Sequence, residues 1–442
     1  DGTASLRAGL VMPGDGSAQF DDIDINLFGA GLTGAAGVSP EGLASGRLSG
    51  NRVALAPLGR MAGLTMDGRA DIALTLEAGD GRQNALLEIE SRRVDMEITE
   101  PLALDHVTAR ASLRDLMGDG TIEARIAAES GATGNTRFTK IEAGAEGPFD
   151  RISITAQLEG ERLSIKAEPV SLDIAAEVTP ALITLGRFDA IIGDASARLA
   201  SPLELETGEA LMRLRGVDVR FDGPEGAGSL TGDVMLQPRR AQLALALEKL
   251  PLELVSPFMP FEVLGGTASG RAELDSGAET GLAALRFDGV TLAEGGLDIR
   301  PAFGATLDAT WARRRLVLTA EARGISEEPF RLDASLPLIR DPQGAFPALP
   351  PRGPIDALLT WTGPMASLMA LADLPGQRLT GDAEIALSAE GDISAPQISG
   401  HARISNGTFE NFETGTAMRD LSLNIEGRRS EVLNFTMNAR DN

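Results

Sequence analysis

The sequence predicts an all-β protein: an elongated, twisted antiparallel sheet curled into a trough with an apolar inner face, with only a few short helices. Three observations predict it. Hydrophobic residues make up 43% of the chain but aromatics only 4%, and tyrosine is absent, so the apolar content is aliphatic. Among 442 residues, 51 glycines and 24 prolines punctuate the chain while apolar residues stay abundant between them, a composition of many short strands rather than of disorder. Period-two alternation of aliphatic and polar or small residues then recurs along the chain.

The alternation is cleanest at Ile72-Leu74-Leu76, Ile152-Ile154-Leu158 and Leu243-Leu245-Leu247. Further copies follow at Leu163-Ile165, Leu316-Leu318, Leu332-Leu336-Leu338, Ile385-Leu387 and Leu421-Leu423-Ile425. Small or polar residues lie between them, as expected of a sheet with one apolar and one wet face; an ordinary sandwich core is the competing reading of any single strand. A loose phrase repeats at irregular spacing as LSGNRVAL, LTGDVML, LGGTASGRAEL, LTGDAEIALSAEG and ISGHARISNG. Its glycine reads as a permissive turn just before a strand, and the irregular spacing favours an antiparallel meander over a solenoid.

Helical signals are few. PMASLMALADL (364–374) opens on proline and places Met365, Leu368, Met369 and Ala372 on one side. LPLELVSPFMP (250–260) and APLGRMAGL near Leu58 hold shorter turns, and all three read as plugs or joints between sheet segments. The stretch DPQGAFPALPPRGP carries five prolines and cannot be a central strand. The organisation expected is therefore a trough segment over 1–340, a Pro-rich linker or joint over 341–354, and a continuing trough over 355–442. No run reaches the roughly eighteen apolar residues of a membrane span, and the first residues lack the basic and apolar regions of a signal peptide. The chain is expected to be a piece of a longer one.

Charge and composition exclude several functions. Asp and Glu total 64 against 40 Lys and Arg, a net −24 with the signs interspersed. Such a surface repels polyphosphate and anionic membranes, and no basic stripe with aromatic platforms is present, so no nucleic-acid partner is expected. The absence of cysteine excludes disulfides, thiolate metal sites and cysteine nucleophiles. The two histidines, His106 and His401, lie far apart on strand-like segments and read as solvated or hydrogen-bonded strand residues. The single GxGxxG match, Gly29 to Gly34, is followed by AAGVSPEG rather than a helix, so it reads as turn glycine and not as a dinucleotide fingerprint. Asn406-Gly407-Thr408 and Asn434-Phe435-Thr436 are sequon matches read as coincidence. A carbohydrate enzyme would bring aromatic platforms that are missing. No enzyme activity, cofactor or metal is expected.

One region carries a resemblance. In LPGQRLTGDAEIALSAEGDISAPQISGHARISNGTFENFETGTAMRDLSLNIEG (374–427), a P-x-I/L-x-G strand is followed by a strand ending in Asn-Gly, an aromatic, and x-T-G-x-x-L/M-x-D. This segment resembles the TamB family, the inner-membrane component of the translocation and assembly module. LPLELVSPFMPFEVLGGTASGRAEL (250–274) resembles the recurring L-P-L … P … L-x-G-x-x-x-G unit of that family and its AsmA-like relatives. The resemblance implies a taco-shaped trough in the periplasm, tethered to the inner membrane through a segment not in this chain. It implies an outer-membrane partner, a TamA-like protein of the Omp85 class, reached through regions outside this chain. The roles it implies are phospholipid transport between membranes and help in inserting outer-membrane proteins.

The residues support a trough independently. At roughly fourteen residues per strand and turn the chain yields on the order of thirty strands, about 150 Å at about 4.8 Å each. A sheet this long must twist and curl. A two-chain lipid crossing water faces a barrier of order 20 kcal/mol, which a continuous aliphatic track removes. The expected function is thus lipid transfer along the groove. The alternative is a scaffold that assists outer-membrane protein assembly by adding client strands to open sheet edges, and a polysaccharide enzyme ranks last.

Overall fold

The computed structural model describes residues 4–441 apart from 28–29, 62, 98–100, 164–166, 209–210, 257–262, 295–297, 300–301, 342, 366–375, 413 and 431–432. The fold is all-β and antiparallel: strands hold 79% of the described residues, so nearly every side chain among them points to one of two sheet faces. The chain divides into two units, Asp1–Gly193 and Asp194–Asn442.

The first unit is an antiparallel meander. Its strands are β1 (Ala4–Val11), β2 (Ala18–Leu27), β3 (Ala30–Val38), β4 (Ala44–Ala54), β5 (Thr65–Gly79), β6 (Arg82–Glu97), β7 (Pro101–Arg114), β8 (Thr121–Thr133), β9 (Thr136–Pro148), β10 (Ile152–Leu163), β11 (Ala167–Val178) and β12 (Leu182–Ile192). Each pairs with the next. Between β4 and β5 lies the short helix α1 (Ala56–Met61), where the sequence placed a helical turn.

In the second unit β13 (Ala195–Leu199) and β14 (Leu203–Gly208) both pair with β15 (Leu211–Asp222). The meander continues through β16 (Gly228–Gln237), β17 (Arg240–Pro251), β18 (Val263–Asp275) and β19 (Thr280–Glu294), whose end pairs with the two-residue β20 (Asp298–Ile299). It then runs through β21 (Phe303–Ala312), β22 (Arg315–Arg323) and β23 (Phe330–Pro337). A separate ribbon of β24 (Ile339–Arg340) and β25 (Pro347–Ala348) follows, and then β26 (Pro354–Pro364), β27 (Gln377–Asp392), β28 (Ala395–Asn411), β29 (Thr416–Ser430) and β30 (Leu433–Asp441).

The Pro-rich stretch lies inside this second unit. β23 pairs directly with β26 across it, and the division between units falls at Gly193/Asp194. Leu252–Leu254 forms a single 3₁₀ turn after β17. Of the helix expected over 364–374, the residues beyond Met365 lie outside those described.

The repeated glycines are not turns. Gly50, Gly232, Gly270, Gly381 and Gly400 all sit inside strands, and Gly31 and Gly34 of the GxGxxG match lie within β3. Gly232 has φ 146°, and a Cβ there would fall 2.0 Å from the Ala244 carbonyl oxygen on β17. Gly400, at φ 116°, would put one 2.0 Å from the Ala386 carbonyl oxygen. Neighbouring backbone occupies the space a side chain needs, which is why glycine interrupts the aliphatic alternation at these positions.

Bulges interrupt several strands and recur at non-glycine residues in left-handed conformation, among them Arg52, Lys249, Asn406 and Asp420. The amide that a bulge frees from the ladder is taken up by the adjacent strand. Arg52 N donates to Asp71 Oδ1 (2.7 Å), Gly216 N to Asp233 Oδ1 (2.9 Å) and Lys249 N to Ser269 Oγ (2.9 Å). Asp71→Ala is therefore expected to cost about 1 kcal/mol locally, read as faster amide hydrogen exchange at Arg52 with exchange in β10 and β11 unchanged.

Candidate functional site

Strand registers show which side chains share a face. In the first unit Leu74 lies opposite Leu87, and the row continues through Ala111, Ala124, Ala145, Ile154 and Ala176 to Leu185. The adjacent row runs Ile72, Ile89, Ala109, Ile126, Ala143, Ala156, Ile174, Phe188, and Leu158 stands between Ile141 and Leu172 in the next. No charge interrupts these rows. On the reverse face the row beginning at Asp71 reads Glu90, Thr108, Ala127, Glu142, Gln157, Asp173, Asp189.

The second unit repeats the arrangement. Leu247 faces Leu230 and Gly270, and the row passes through Leu285, Leu307, Ala320, Leu332, Leu359 and Leu387. Beside it Leu245 opens a row of small residues, Ala272, Ala283, Ala309, with Leu318 and then Ala334, Ala357 and Ala389. Leu243, Trp311, Leu316 and Leu336 belong to the third row. Ile385 lies between Trp361 and Ala402, which faces Ile425; Leu423 pairs with Ile404 and Leu421 with Gly407. The alternating segments thus meet as transverse aliphatic rows, because a meander with mostly constant register keeps the period-two phase from strand to strand.

Three expected positions do not join them. Leu163 lies on the reverse face: β10 and β11 keep unbroken register to Arg162–Glu168, so Leu163 shares the side of Glu161 and is 46% exposed. Two alternating aliphatics alone carry no information about phase. Leu338 lies between β23 and β24, where its carbonyl accepts the Trp311 indole N–H (2.9 Å). Ile165 lies outside the described residues.

A sheet face of this kind normally packs on a second layer. Among the described residues the only covers are local. Leu58 of α1 packs on a cluster that includes Leu55, Val53, Ala70 and Ile72, and Leu252 packs with Val263, Ala268, Val290 and Leu292. Trp361 packs with Ala383 and Ile404. Elsewhere the rows stay partly open: Ile126 and Ile154 are 49% and 37% exposed.

The reverse face is solvated and ion-paired. Arg187 bonds Asp173 (3.1 Å), Arg93 bonds Asp95 (2.8 Å), and His401 Nε2 lies 3.2 Å from Glu384 Oε1. His106 lies 3.5 Å from Glu129. A cleft of about 730 Å³ opens among Arg213, Gln242, Glu273, Asp275 and Thr310, and its charges are of both signs. Asp275 organises its rim, accepting from Arg240 Nη2 (2.8 Å), Gln242 Nε2 (2.7 Å) and the Gly277 and Ala278 amides. The Arg240 hydrogen bonds, seconded by Gln242, hold its carboxyl far below the usual range despite opposing desolvation. A lowered folded value means the stabilisation is complete above about pH 4, the ordinary Asp value, and fades as pH falls below it. Asp275→Asn is expected to lower the urea midpoint of the second unit at pH 7, and the gap to the parent should shrink from pH 4 to pH 2.

Among the described residues no group of His, Asp or Glu is placed to hold a metal ion, and no helix is long and apolar enough to cross a membrane. No family model, curated protein or solved structure matches this chain.

Proposed function

We propose that this chain is a TamB-like lipid-transfer segment of a bacterial envelope, in which the sheet curls into a trough and phospholipid acyl chains lie along the aliphatic rows. One observation carries the reading: long uncharged rows cross strand after strand while no second layer of the described protein covers them. Exposed aliphatic area costs about 25 cal/mol per Å², so such a face calls for a partner as apolar and as extended as itself. Acyl chains meet both requirements. Similar weak contacts repeated from strand to strand let a chain slide, whereas a shaped polar pocket would trap it. Placement in the periplasm, tethering at the inner membrane and delivery toward a TamA-like outer-membrane protein rest on the resemblance of 374–427.

A second reading is favoured by one strand. β1 is exposed along its whole length and pairs only with β2 among the described residues, with Leu6 69% exposed, which suits addition of a client strand. Organic extraction and mass spectrometry of protein purified without detergent separates the two. Co-purifying phospholipid in near-stoichiometric or higher amount is expected; its absence transfers the weight to strand addition.

A further inference from the structure

We infer that residues 338–341 and 343–353 form a releasable clasp over one edge of the second unit's aliphatic face, controlling phospholipid entry and exit there; this rests on the lipid-transfer reading. The edge concerned carries the turns β16–β17, β18–β19 and β21–β22. Leu338 extends the ladder by one bond, its amide donating to Arg314 O (3.0 Å), and then the chain leaves the sheet as the β24–β25 ribbon. It returns at Gly353, whose amide donates to Asp392 Oδ2 (3.0 Å) and whose carbonyl accepts from Ile393 (2.8 Å).

Between these anchors the segment reaches far along the edge. Arg340 Nη2 donates to Arg239 O (3.0 Å), 101 residues away at the β16–β17 turn. β17 and β23 are five strand steps apart, about 24 Å on a flat sheet, so this contact requires the edge to bend toward itself. At the same edge Ala241 and Ser276 are fully buried and Trp311, from the aliphatic face, is 3% exposed with its indole bonded to Leu338.

The clasp itself is weakly held. Prolines at 342, 347, 350, 351 and 354 lack the amides a sheet strand needs, and among the described residues its middle is held by a two-residue ribbon, the Arg340 bond and a local Gln343 N to Asp341 Oδ1 bond (2.8 Å). Residues 343–351 carry no charge, and Phe346 and Leu349 are 51% and 54% exposed. Few bonds and open apolar side chains mark the low end of local stability, where moving elements are found.

The chain has no cysteine, so the clasp can be fixed at will. Exchange of a fluorescent phosphatidylcholine between the purified full chain and phosphatidylcholine vesicles would be compared in three forms. Arg340→Ala should exchange about fivefold faster than the parent, the factor that one net hydrogen bond is worth. Arg239→Cys with Arg340→Cys should do the same unbridged, and should fall below the parent rate once a short bis-maleimide joins the two thiols. Equal rates in all forms, with parent exchange intact, overturn the clasp and leave the lipid reading standing. A rigid brace would instead show as loss of Trp311 burial in Arg340→Ala with the bridged form at the parent rate, which also overturns it. No exchange by any form sinks the lipid reading and the clasp together.

Discussion

Arginine at Leu245 is expected to abolish lipid passage through the second unit while leaving its fold intact. Leu245 stands mid-strand between Gly232 and Ala272, and no charged residue shares its row. Its small neighbours leave space for a longer side chain, so the substitution need not overpack a core. A guanidinium among acyl chains costs about 3 kcal/mol, close to two powers of ten in occupancy. The two tryptophans, Trp311 and Trp361, both lie in the second unit and both are buried, so their fluorescence reports its folding directly. Transfer of a fluorescent phospholipid between vesicles should fall about a hundredfold with the tryptophan spectrum unchanged. Arginine at Ala246, one residue on and facing the charged side, should leave transfer as it was. Equal transfer by the parent and Leu245→Arg would count against the proposed lipid path.

The second large effect is on the fold. Gly232→Ala forces a Cβ against the Ala244 carbonyl oxygen in a backbone conformation that L side chains rarely adopt. β16 then has to part from β17, or the glycine site has to change conformation. Destabilisation of about 3 kcal/mol is expected, the scale of a strained backbone combined with lost pairing. It should appear as a lower urea midpoint by tryptophan fluorescence. Gly208→Ala is the control, since the nearest atom to its Cβ would be the Leu211 carbonyl oxygen at 3.9 Å and its φ is not positive. It should stay within about 0.5 kcal/mol of the parent. An unchanged midpoint for Gly232→Ala would mean that the close approach is relieved without cost.

Those two residues also show how far the sequence could be read. Leu243, Leu245 and Leu247 alternate over small residues, which sets their common face once the segment is a strand; the meander then carries that face across its neighbours. The same rule misplaced Leu163, because a pair of aliphatics after Arg162 can be phased either way and only the β10–β11 register decides. Glycine was harder. Gly232 and Gly400 look like turn residues when read locally, and their reason for being glycine is a carbonyl on another strand, a long-range fact absent from local pattern. Bulges at Arg52 and Lys249 were invisible for a related cause: nothing in an arginine or lysine announces positive φ, and their amides are satisfied by Asp71 and Ser269 on the adjacent strand. The prolines of 341–354 did announce a break in the ladder. Their neighbours gave no sign that β23 and β26 would close across it, or that Arg340 would reach Arg239.

The most direct test of the account places a photo-crosslinking residue on each face of one strand. Benzoylphenylalanine at Leu245, in the aliphatic row, should form adducts with phospholipid in envelope-derived preparations, and the same residue at Ala244 or Ala246 should not. Adducts of equal yield at all three positions, or lipid captured only from the charged face, would contradict it.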